Sequence, residues 1–324
     1  MTTQLTKTRV PCKGLLCFPL IYLLIFNTYS TGSKGFSLLG SKKESKVKFE
    51  LIDNLIVVPI QLNSGHRTKA VVDTGIRSVV LYGRKFREQL NFTNSRDVKI
   101  NGLGKGRRQQ GKLAINNAMR IGDVLGEGVG IVSVDEKIPF EILSENGVEA
   151  ILGYQLFSNF IIEIDYLNNE ITFRDPIYFT ANPEAHQFDI EVIDTKPYIT
   201  TTIKIKNEHS EILAHDMKVL LDTGAALDMM IYHGSKNAKL FALGKPKKET
   251  IGQGMNGEIG GYSTTDLSID VGGVNLESIS VNVADRRSGN KYSKYYGVDG
   301  LIGGNVLKQY KVTFDYINGD VYLE

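Results

Sequence analysis

The chain has 324 residues, of which 42% are hydrophobic and 23% are charged, and its formal net charge is +2. This length suffices for two ordinary domains and this composition for a sizeable core. The small net charge, without a long run of one sign, argues against nucleic acid as a partner. Both cysteines, Cys12 and Cys17, lie near the N-terminus. The rest of the chain therefore has no disulfide or cysteine ligand, and the scattered histidines predict no metal or other cofactor.

The first predicted element is an N-terminal export signal. Three basic residues within the first 13 positions precede an apolar run at 14–26, and small and polar residues follow, with a cleavage zone near 30–32. The run is short for a membrane span of about 20 residues. We expect residues 1–45 to be a signal peptide or membrane anchor plus a linker, so that the body lies outside the cytoplasm, secreted, periplasmic or membrane-anchored. The alternatives are lipid attachment at Cys17 and a buried core helix.

The remainder of the chain repeats itself. Four landmarks keep an offset of 149 residues for the first pair and 150 for the others: Asp73 and Asp222, Gly102 and Gly252, Gly153 and Gly303, Asp165 and Asp315. A constant offset indicates a tandem duplication. The predicted units are 46–180 and 186–324, joined near 177–187, where the chain has Pro and Asn but no apolar periodicity.

Both units consist mainly of predicted strands, because short segments rich in Val and Ile alternate with Gly, Asn and Asp turns. Each unit closes with a predicted hairpin, at 165–173 and 315–323. In the second hairpin Asn318-Gly319 is a strong signal of a two-residue turn. The fold class is all-β with two lobes. Short helices are predicted at 84–90, 156–160 and 306–310.

Two Asp-Thr-Gly triplets lie at equivalent places in the units. They end the apolar segments KAVVDTG (69–75) and KVLLDTG (218–224). One such triplet is explained by a turn in which the Asp bonds its own backbone, but two symmetric copies are not. If two lobes face each other across a pseudo-twofold axis, Asp73 and Asp222 meet there. Two charges about 3 Å apart cannot both ionise comfortably, so one proton is shared. One carboxyl group can then act as general base and the other as general acid toward a water molecule.

The neighbouring residues fit a shared site. Gly75 and Gly224 carry no Cβ and allow close backbone approach at the axis. Thr74 and Thr223 can use their hydroxyl groups to bond across to the opposite lobe.

These motifs resemble those of aspartic proteases: apolar-apolar-Asp-Thr-Gly, then a Gly-rich hairpin, then apolar-apolar-Gly. The segments ILG (151–153) and LIG (301–303) look like the second signature of that family, and the closing hairpins resemble the ends of retropepsin-like domains in bacterial aspartyl proteases. The resemblance covers nearly the whole chain from residue 46, twice. It implies an aspartic endopeptidase with Asp73 and Asp222 as the catalytic pair, a single-chain pseudo-dimer with its active site at the interface, a polypeptide substrate and a monomeric state.

The resemblance implies that two Gly-rich hairpins, at 100–115 and 250–265, are the flaps that cover the substrate in aspartic proteases. Neither has the pepsin-like flap Tyr in an obvious position. The candidate substrate-binding glycines are Gly102, Gly104, Gly252 and Gly254.

The sequence departs from the family pattern beside the triplets. Ile76 follows the first triplet and Ala225 the second, where pepsin-like enzymes usually have Ser or Thr. Ala occurs at this place in retropepsins, but Ile is unusual. Arg77 comes next, and either points to solvent or acts as a fixed cation that lowers the pKa of Asp73. Two alternatives therefore stay open beside the protease. One is a catalytically silent peptide-binding protein on the same fold, and the other is a β-rich adhesion or envelope protein in which the triplets are only turns.

Overall fold

The structure, a computed structural model, describes residues 35–63, 65–93, 95–206, 212–241, 247–271, 273–288 and 297–324. The described residues belong to one compact unit. The predicted signal or anchor at 14–26 lies outside them. In the described ranges, no helix is both long and apolar enough to cross a membrane.

The fold is built mainly from strands, as the sequence predicts. In chain order the first strands are β1 (Gly35–Leu38), β2 (Glu44–Lys48), β3 (Glu50–Ile52), β4 (Leu55–Leu62), β5 (His66–Val72), β6 (Val79–Tyr82), β7 (Arg96–Ile100), β8 (Gln109–Ile121), β9 (Val124–Val134), β10 (Val148–Leu152), β11 (Ile161–Asp165) and β12 (Glu170–Arg174). They are followed by β13 (His186–Ile193), β14 (Lys196–Lys206), β15 (Ile212–Asp222), β16 (Met229–Ile231), β17 (Glu249–Gly254), β18 (Gly257–Val271), β19 (Val274–Ala284), β20 (Gly300–Gly303), β21 (Lys311–Asp315) and β22 (Asp320–Leu323).

Within the described residues the strands form two large sheets. A nine-stranded sheet has the order β1-β9-β6-β10-β5-β4-β8-β7, with β3 paired to β4. A 13-stranded sheet has the order β17-β18-β19-β16-β20-β15-β14-β13-β22-β21-β11-β12-β2. The second sheet combines both sequence repeats, because β11 pairs antiparallel with β21 and places Ile162 opposite Phe314. A continuous backbone ladder therefore links the two repeats.

The strands beside the Asp-Thr-Gly triplets are buried along their whole length. Every residue of β6 (VVLY) and of β20 (GLIG) is buried, because both strands have neighbours on each side and packed residues on each face. Beneath them Phe157 packs edge-to-face on Phe314, with ring centroids 5.7 Å apart, and stacks on Tyr316 at 5.4 Å. The triplets thus sit on a rigid, close-packed base.

The helices found among the described residues are short. They are α1 (Glu141–Glu145), α2 (Tyr154–Phe157) and α3 (Gly304–Leu307), with 3₁₀ turns at Arg84–Glu88, Pro176–Tyr178 and Ala238–Phe241. The predicted helical turns after 151–153 and 301–303 are confirmed. Both begin two residues earlier than predicted, because Gly153 and Gly303 are themselves the N-cap residues. The helix predicted at 84–90 is a 3₁₀ turn, and α1 was not predicted.

The predicted boundary at residue 46 falls inside β2, and one described strand, β1, lies before it. The earlier strand β1 pairs antiparallel with β9 and places Phe36 opposite Gly126. Phe36 is buried, and a Cβ on Gly126 would lie 2.6 Å from its ring. Strand β1 forms because it pairs with the distant strand β9, where Gly126 leaves space for the Phe36 ring. The local sequence of β1 therefore does not predict a strand.

Both closing hairpins are confirmed, but the second connection has four residues, 316–319, rather than two. The buried carboxylate of Asp315 accepts hydrogen bonds from the Ile317 N–H at 3.1 Å and the Asn318 N–H at 2.8 Å. The side-chain amide of Asn318 donates to the same carboxylate at 2.7 Å, and Gly319 has φ +84°. The carboxylate therefore stabilises a wider turn than the Asn-Gly pair alone indicates.

Phe314→Ala is expected to lower the free energy of unfolding by about 3–5 kcal/mol, because it removes a fully buried ring and leaves a cavity. Leu167→Ala is the matched control. Leu167 is 93% exposed at a hairpin tip, so its change should stay within about 0.5 kcal/mol. Urea denaturation followed by circular dichroism measures both. Equal losses would contradict the placement of β21 in the core.

Candidate active site

Each Asp-Thr-Gly triplet lies at the end of a central strand. Asp73 directly follows β5, which runs parallel to β10, and Asp222 ends β15, which runs parallel to β20. The Asp73 N–H donates to the carbonyl oxygen of Leu152 at 2.9 Å. The apolar-apolar-Gly segments therefore lie beside the triplets, as the sequence predicts.

Two glycines at the ends of these neighbouring segments let the triplet loops pack closely. A Cβ on Gly153 would collide with the carbonyl oxygen of Ile76, and one on Gly303 would lie 2.7 Å from that of Ala225. The Tyr154 N–H also donates to the Ile76 oxygen at 3.0 Å. The backbone after each triplet is thus held from below, and a larger residue at either glycine would displace it.

Thr74 and Thr223 bind the two triplet loops to each other. The Thr74 hydroxyl donates to the Leu221 carbonyl at 2.6 Å and accepts from the Thr223 N–H at 3.0 Å. The Thr223 hydroxyl donates to the Val72 carbonyl at 2.9 Å and accepts from the Thr74 N–H at 3.1 Å. Both threonines are buried. The predicted cross-bonding is present, and its four buried hydrogen bonds fix one loop against the other.

Asp73 and Asp222 meet at this junction, and their side chains hydrogen-bond to each other. Each also accepts the N–H of the glycine two residues later, Gly75 at 2.6 Å and Gly224 at 3.0 Å. A Cβ on Gly75 would lie 2.8 Å from a carboxylate oxygen of Asp222, and one on Gly224 would overlap the Asp73 carboxyl group. Only glycine permits this approach.

Burial raises the pKa of both carboxyl groups, and the charge of Asp222 raises the pKa of Asp73 further. The Lys196 ammonium group opposes this shift and lowers the pKa of both. Because two adjacent carboxyl groups cannot both ionise cheaply in a poorly solvated site, the pair keeps a proton at a pH where an ordinary Asp has lost it.

Arg77 points to solvent, which was the first of the two alternatives that the sequence left open. Its side chain is 63% exposed and its guanidinium group pairs with Asp194. Among the described residues, Lys196 is the cation that acts on the carboxyl pair. Its side chain is only 12% exposed, and the sequence analysis did not identify it. An alignment of the two repeats could have pointed to Lys196, because Asp-Thr-Lys at 194–196 matches Asp-Asn-Leu at 53–55.

A cavity of about 740 Å³ adjoins the carboxyl pair, within the size range of ligand-binding sites. The two Gly-rich hairpins also line it. One consists of β7 and β8 with the connection 101–108, and the other of β17 and β18 with the connection 255–256. The apolar lining residues include Leu55, Ile76, Ile100, Leu103, Phe140, Ala225, Leu227, Met230, Ile251, Met255 and Leu301.

The tips of these hairpins hydrogen-bond to each other. The Asn256 N–H donates to the Leu103 carbonyl at 2.9 Å, and the Gly106 N–H donates to the Asn256 carbonyl at 2.5 Å. The Tyr82 hydroxyl donates to Gln109 at 3.0 Å, whose amide donates to the carbonyl of Met255 at 3.1 Å. Tyr82 thus supports the hairpin contact from β6, a role that no sequence motif indicated.

Three of the four predicted hairpin glycines lie at this contact. A Cβ on Gly102, Gly104 or Gly254 would collide with the opposite hairpin. Gly252 has open space around it, so it is not required for the contact.

Comparison with known proteins gives the class of the first repeat. Residues 58–156 match the family described as aspartyl protease. This segment holds the Asp73 triplet, the first Gly-rich hairpin and the ILG segment, so the match supports the resemblance of the first repeat to aspartyl proteases. No curated protein matches the chain.

Thr223→Val should lower the free energy of unfolding by about 2–6 kcal/mol, because it leaves the Val72 carbonyl and the Thr74 N–H buried without partners. Thr223→Ser keeps the hydroxyl group and should cost only about 1 kcal/mol for the lost methyl group. Guanidinium denaturation of the three proteins separates the two effects. Equal losses for Val and Ser would show that packing, and not the hydrogen bonds, matters at this position.

Proposed function

We propose that this protein is an aspartic endopeptidase, which hydrolyses peptide bonds with a water molecule activated between Asp73 and Asp222. One observation carries the proposal: two carboxyl groups, 149 residues apart in the chain, hydrogen-bond to each other beside a cavity that is closed by two hairpins. The raised pKa of both groups supports it, because the chemistry needs one ionised and one protonated carboxyl group.

We also propose that residues 46–180 and 186–324 are two lobes of a single-chain pseudo-dimer, with the active site at their interface. Each lobe contributes one carboxyl group and one covering hairpin. The reciprocal bonds of Thr74 and Thr223 and the pairing of β11 with β21 support this arrangement, because both join equivalent segments of the repeats. The first lobe would also include β1.

The proposed reaction is a direct attack of water on the substrate. The ionised carboxylate removes a proton from the water as its oxygen bonds to the peptide carbonyl carbon. The protonated partner donates its proton to the carbonyl oxygen, which gives a tetrahedral diol. The C–N bond then breaks as the first carboxyl group passes the proton it took from water to the nitrogen, while its partner, now ionised, takes a proton from a hydroxyl group of the diol. The products are a carboxylic acid and an amine, and the pair again holds one proton for the next cycle.

The proposed partner is a polypeptide, bound in extended form between the carboxyl pair and the hairpins. We expect the protein to act as a monomer, because both halves of the site lie in one chain. The basic and apolar N-terminal segment supports an extracytoplasmic location, with residues 14–26 as a cleaved signal or as an anchor.

The second candidate is a catalytically silent peptide-binding protein on the same fold. The identity of residue 76 favours it, because Ile76 offers no hydroxyl group to the Asp73 carboxylate. Turnover distinguishes the two candidates.

Asp73→Asn and Asp222→Asn should each abolish cleavage of a mixed peptide library between pH 3 and 8 while the circular dichroism spectrum stays unchanged. Each variant removes one of the two proton-transfer groups. Asp189→Asn, an exposed position on β13, is the control and should retain full activity. Undiminished cleavage by both variants would exclude the proposed mechanism.

The carboxyl pair should also make stability depend on pH. Between the ordinary pKa of Asp, about 3.9, and the raised pKa in the folded protein, the native pair binds more protons than the unfolded chain. The free energy of unfolding should therefore fall as pH rises through this interval. Asp73→Asn removes a titrating group, so denaturation at pH 4 and pH 7 should give a smaller fall than in the wild type. An identical fall would show that the two groups titrate as ordinary carboxyl groups.

A further inference from the structure

Asn256, at the tip of the second hairpin, is the residue through which the two hairpins meet. Its N–H donates to the Leu103 carbonyl at 2.9 Å, and its own carbonyl accepts from the Gly106 N–H at 2.5 Å. Its side-chain Nδ2 atom donates to the Gly102 carbonyl at 2.8 Å. Three of its four hydrogen-bonding groups therefore join the second hairpin to the first.

The fourth group, the Oδ1 atom of Asn256, has no hydrogen-bond partner within the described part of the chain, although it is buried. The bond from Nδ2 to a carbonyl oxygen identifies which side-chain atom is the oxygen, because only the nitrogen can donate. Asn256 is 8% exposed and lines the cavity beside the carboxyl pair. Buried acceptors are nearly always paired in proteins, so an unpaired one beside a cavity points to a donor that a ligand brings.

The backbone of Asn256 is packed closely against the first hairpin. A Cβ on Gly104 would lie 2.6 Å from the Asn256 carbonyl carbon, and one on Gly106 would lie 2.4 Å from its carbonyl oxygen. In the sequence repeat, Gly106 is itself the equivalent of Asn256, at the offset of 150 residues. The first hairpin therefore has no side chain at this place, and only the second hairpin presents a carboxamide group.

The donor that fits this acceptor is a backbone N–H group. A peptide that lies in extended form between the carboxyl pair and the hairpins carries unpaired N–H groups along its edges, whatever its side chains are. Because the hairpin tips are hydrogen-bonded to each other across the cavity, they must part to admit a polypeptide. This movement uncovers the Oδ1 atom of Asn256 in front of the peptide.

We propose that Asn256 is a substrate-binding residue, whose Oδ1 atom accepts a hydrogen bond from a backbone N–H of the peptide outside the scissile bond. As the hairpins close, Nδ2 bonds to Gly102 again, so that one carboxamide group connects the substrate to both hairpins. Closure over a peptide pairs an acceptor that closure over an empty cavity leaves unpaired, and the substrate therefore favours the closed form. The inference rests on the proposed peptidase function.

The test uses the full-length protein, a decapeptide that it cleaves, and versions of this peptide in which one amide at a time, never the scissile one, is replaced by an ester. Each ester removes a single N–H donor. At one position the ester should lower kcat/KM about two- to tenfold more in the wild type than in Asn256→Ala, as one hydrogen bond allows. This double-mutant cycle isolates the bond to the substrate from any effect of Asn256 on the hairpin contact.

Asn256→Asp separates the two roles of the side chain, because it keeps an acceptor but loses the Nδ2 donor to Gly102. It should retain the ester effect. Asn275→Ala is the matched control, since Asn275 is exposed on β19 and donates to Glu277 at 3.1 Å. It should change neither the cleavage of the parent peptide nor the ester effect.

Ester effects of equal size in the wild type and in Asn256→Ala at every position would overturn the inference and leave the peptidase function intact. If the wild type cleaves no peptide, the peptidase function fails, and fluorescence anisotropy then measures the same cycle in binding affinity. Anisotropy also replaces turnover if Asn256→Ala alone is inactive. A coupling confined to one position supports the inference, whereas equal effects at every position, or no binding at all, overturn it.

Discussion

Four buried hydrogen bonds between the loops of Thr74 and Thr223 hold Asp73 and Asp222 against each other, and the rest of the site depends on this contact. Two carboxyl groups in a poorly solvated place repel each other when both are charged, so only a rigid connection keeps them together. Glycine two residues after each carboxylate provides the space. The strands beside the loops and the packed rings beneath them supply the rigidity.

The two repeats place equivalent residues around one cavity, but they do not provide identical walls. The first covering hairpin has an eight-residue connection and the second a two-residue turn, so the tips that meet across the cavity differ in shape. Leu55 in the first repeat corresponds to Lys196 in the second, and Ile76 in the first repeat corresponds to Ala225 in the second. The repeated sequence accounts for the paired carboxyl groups, and the unlike residues make the two sides of the cavity chemically different.

The sequence alone predicted what local patterns encode: the β class, the paired triplets, the closing hairpins and the helical turns after Gly153 and Gly303. It missed features that depend on distant partners. Strand β1 exists because it pairs with β9, and the turn after Asp315 is wider because a buried carboxylate binds its backbone. Lys196 escaped notice because its match to Leu55 has an offset of 141 residues rather than 150, which the main repeat pattern does not reveal.

The central claim is that Asp73 and Asp222 form one coupled site with a shared proton. Carbon-13 NMR of the aspartate carboxyl groups, followed from pH 2 to 8 in the wild type and in Asp222→Asn, tests it most directly. We predict that the wild type shows a carboxyl resonance titrating well above pH 3.9, which moves or vanishes when Asp222 is replaced. If all carboxyl groups titrate near their ordinary values in both proteins, the two residues do not share a proton and the site is not the one described.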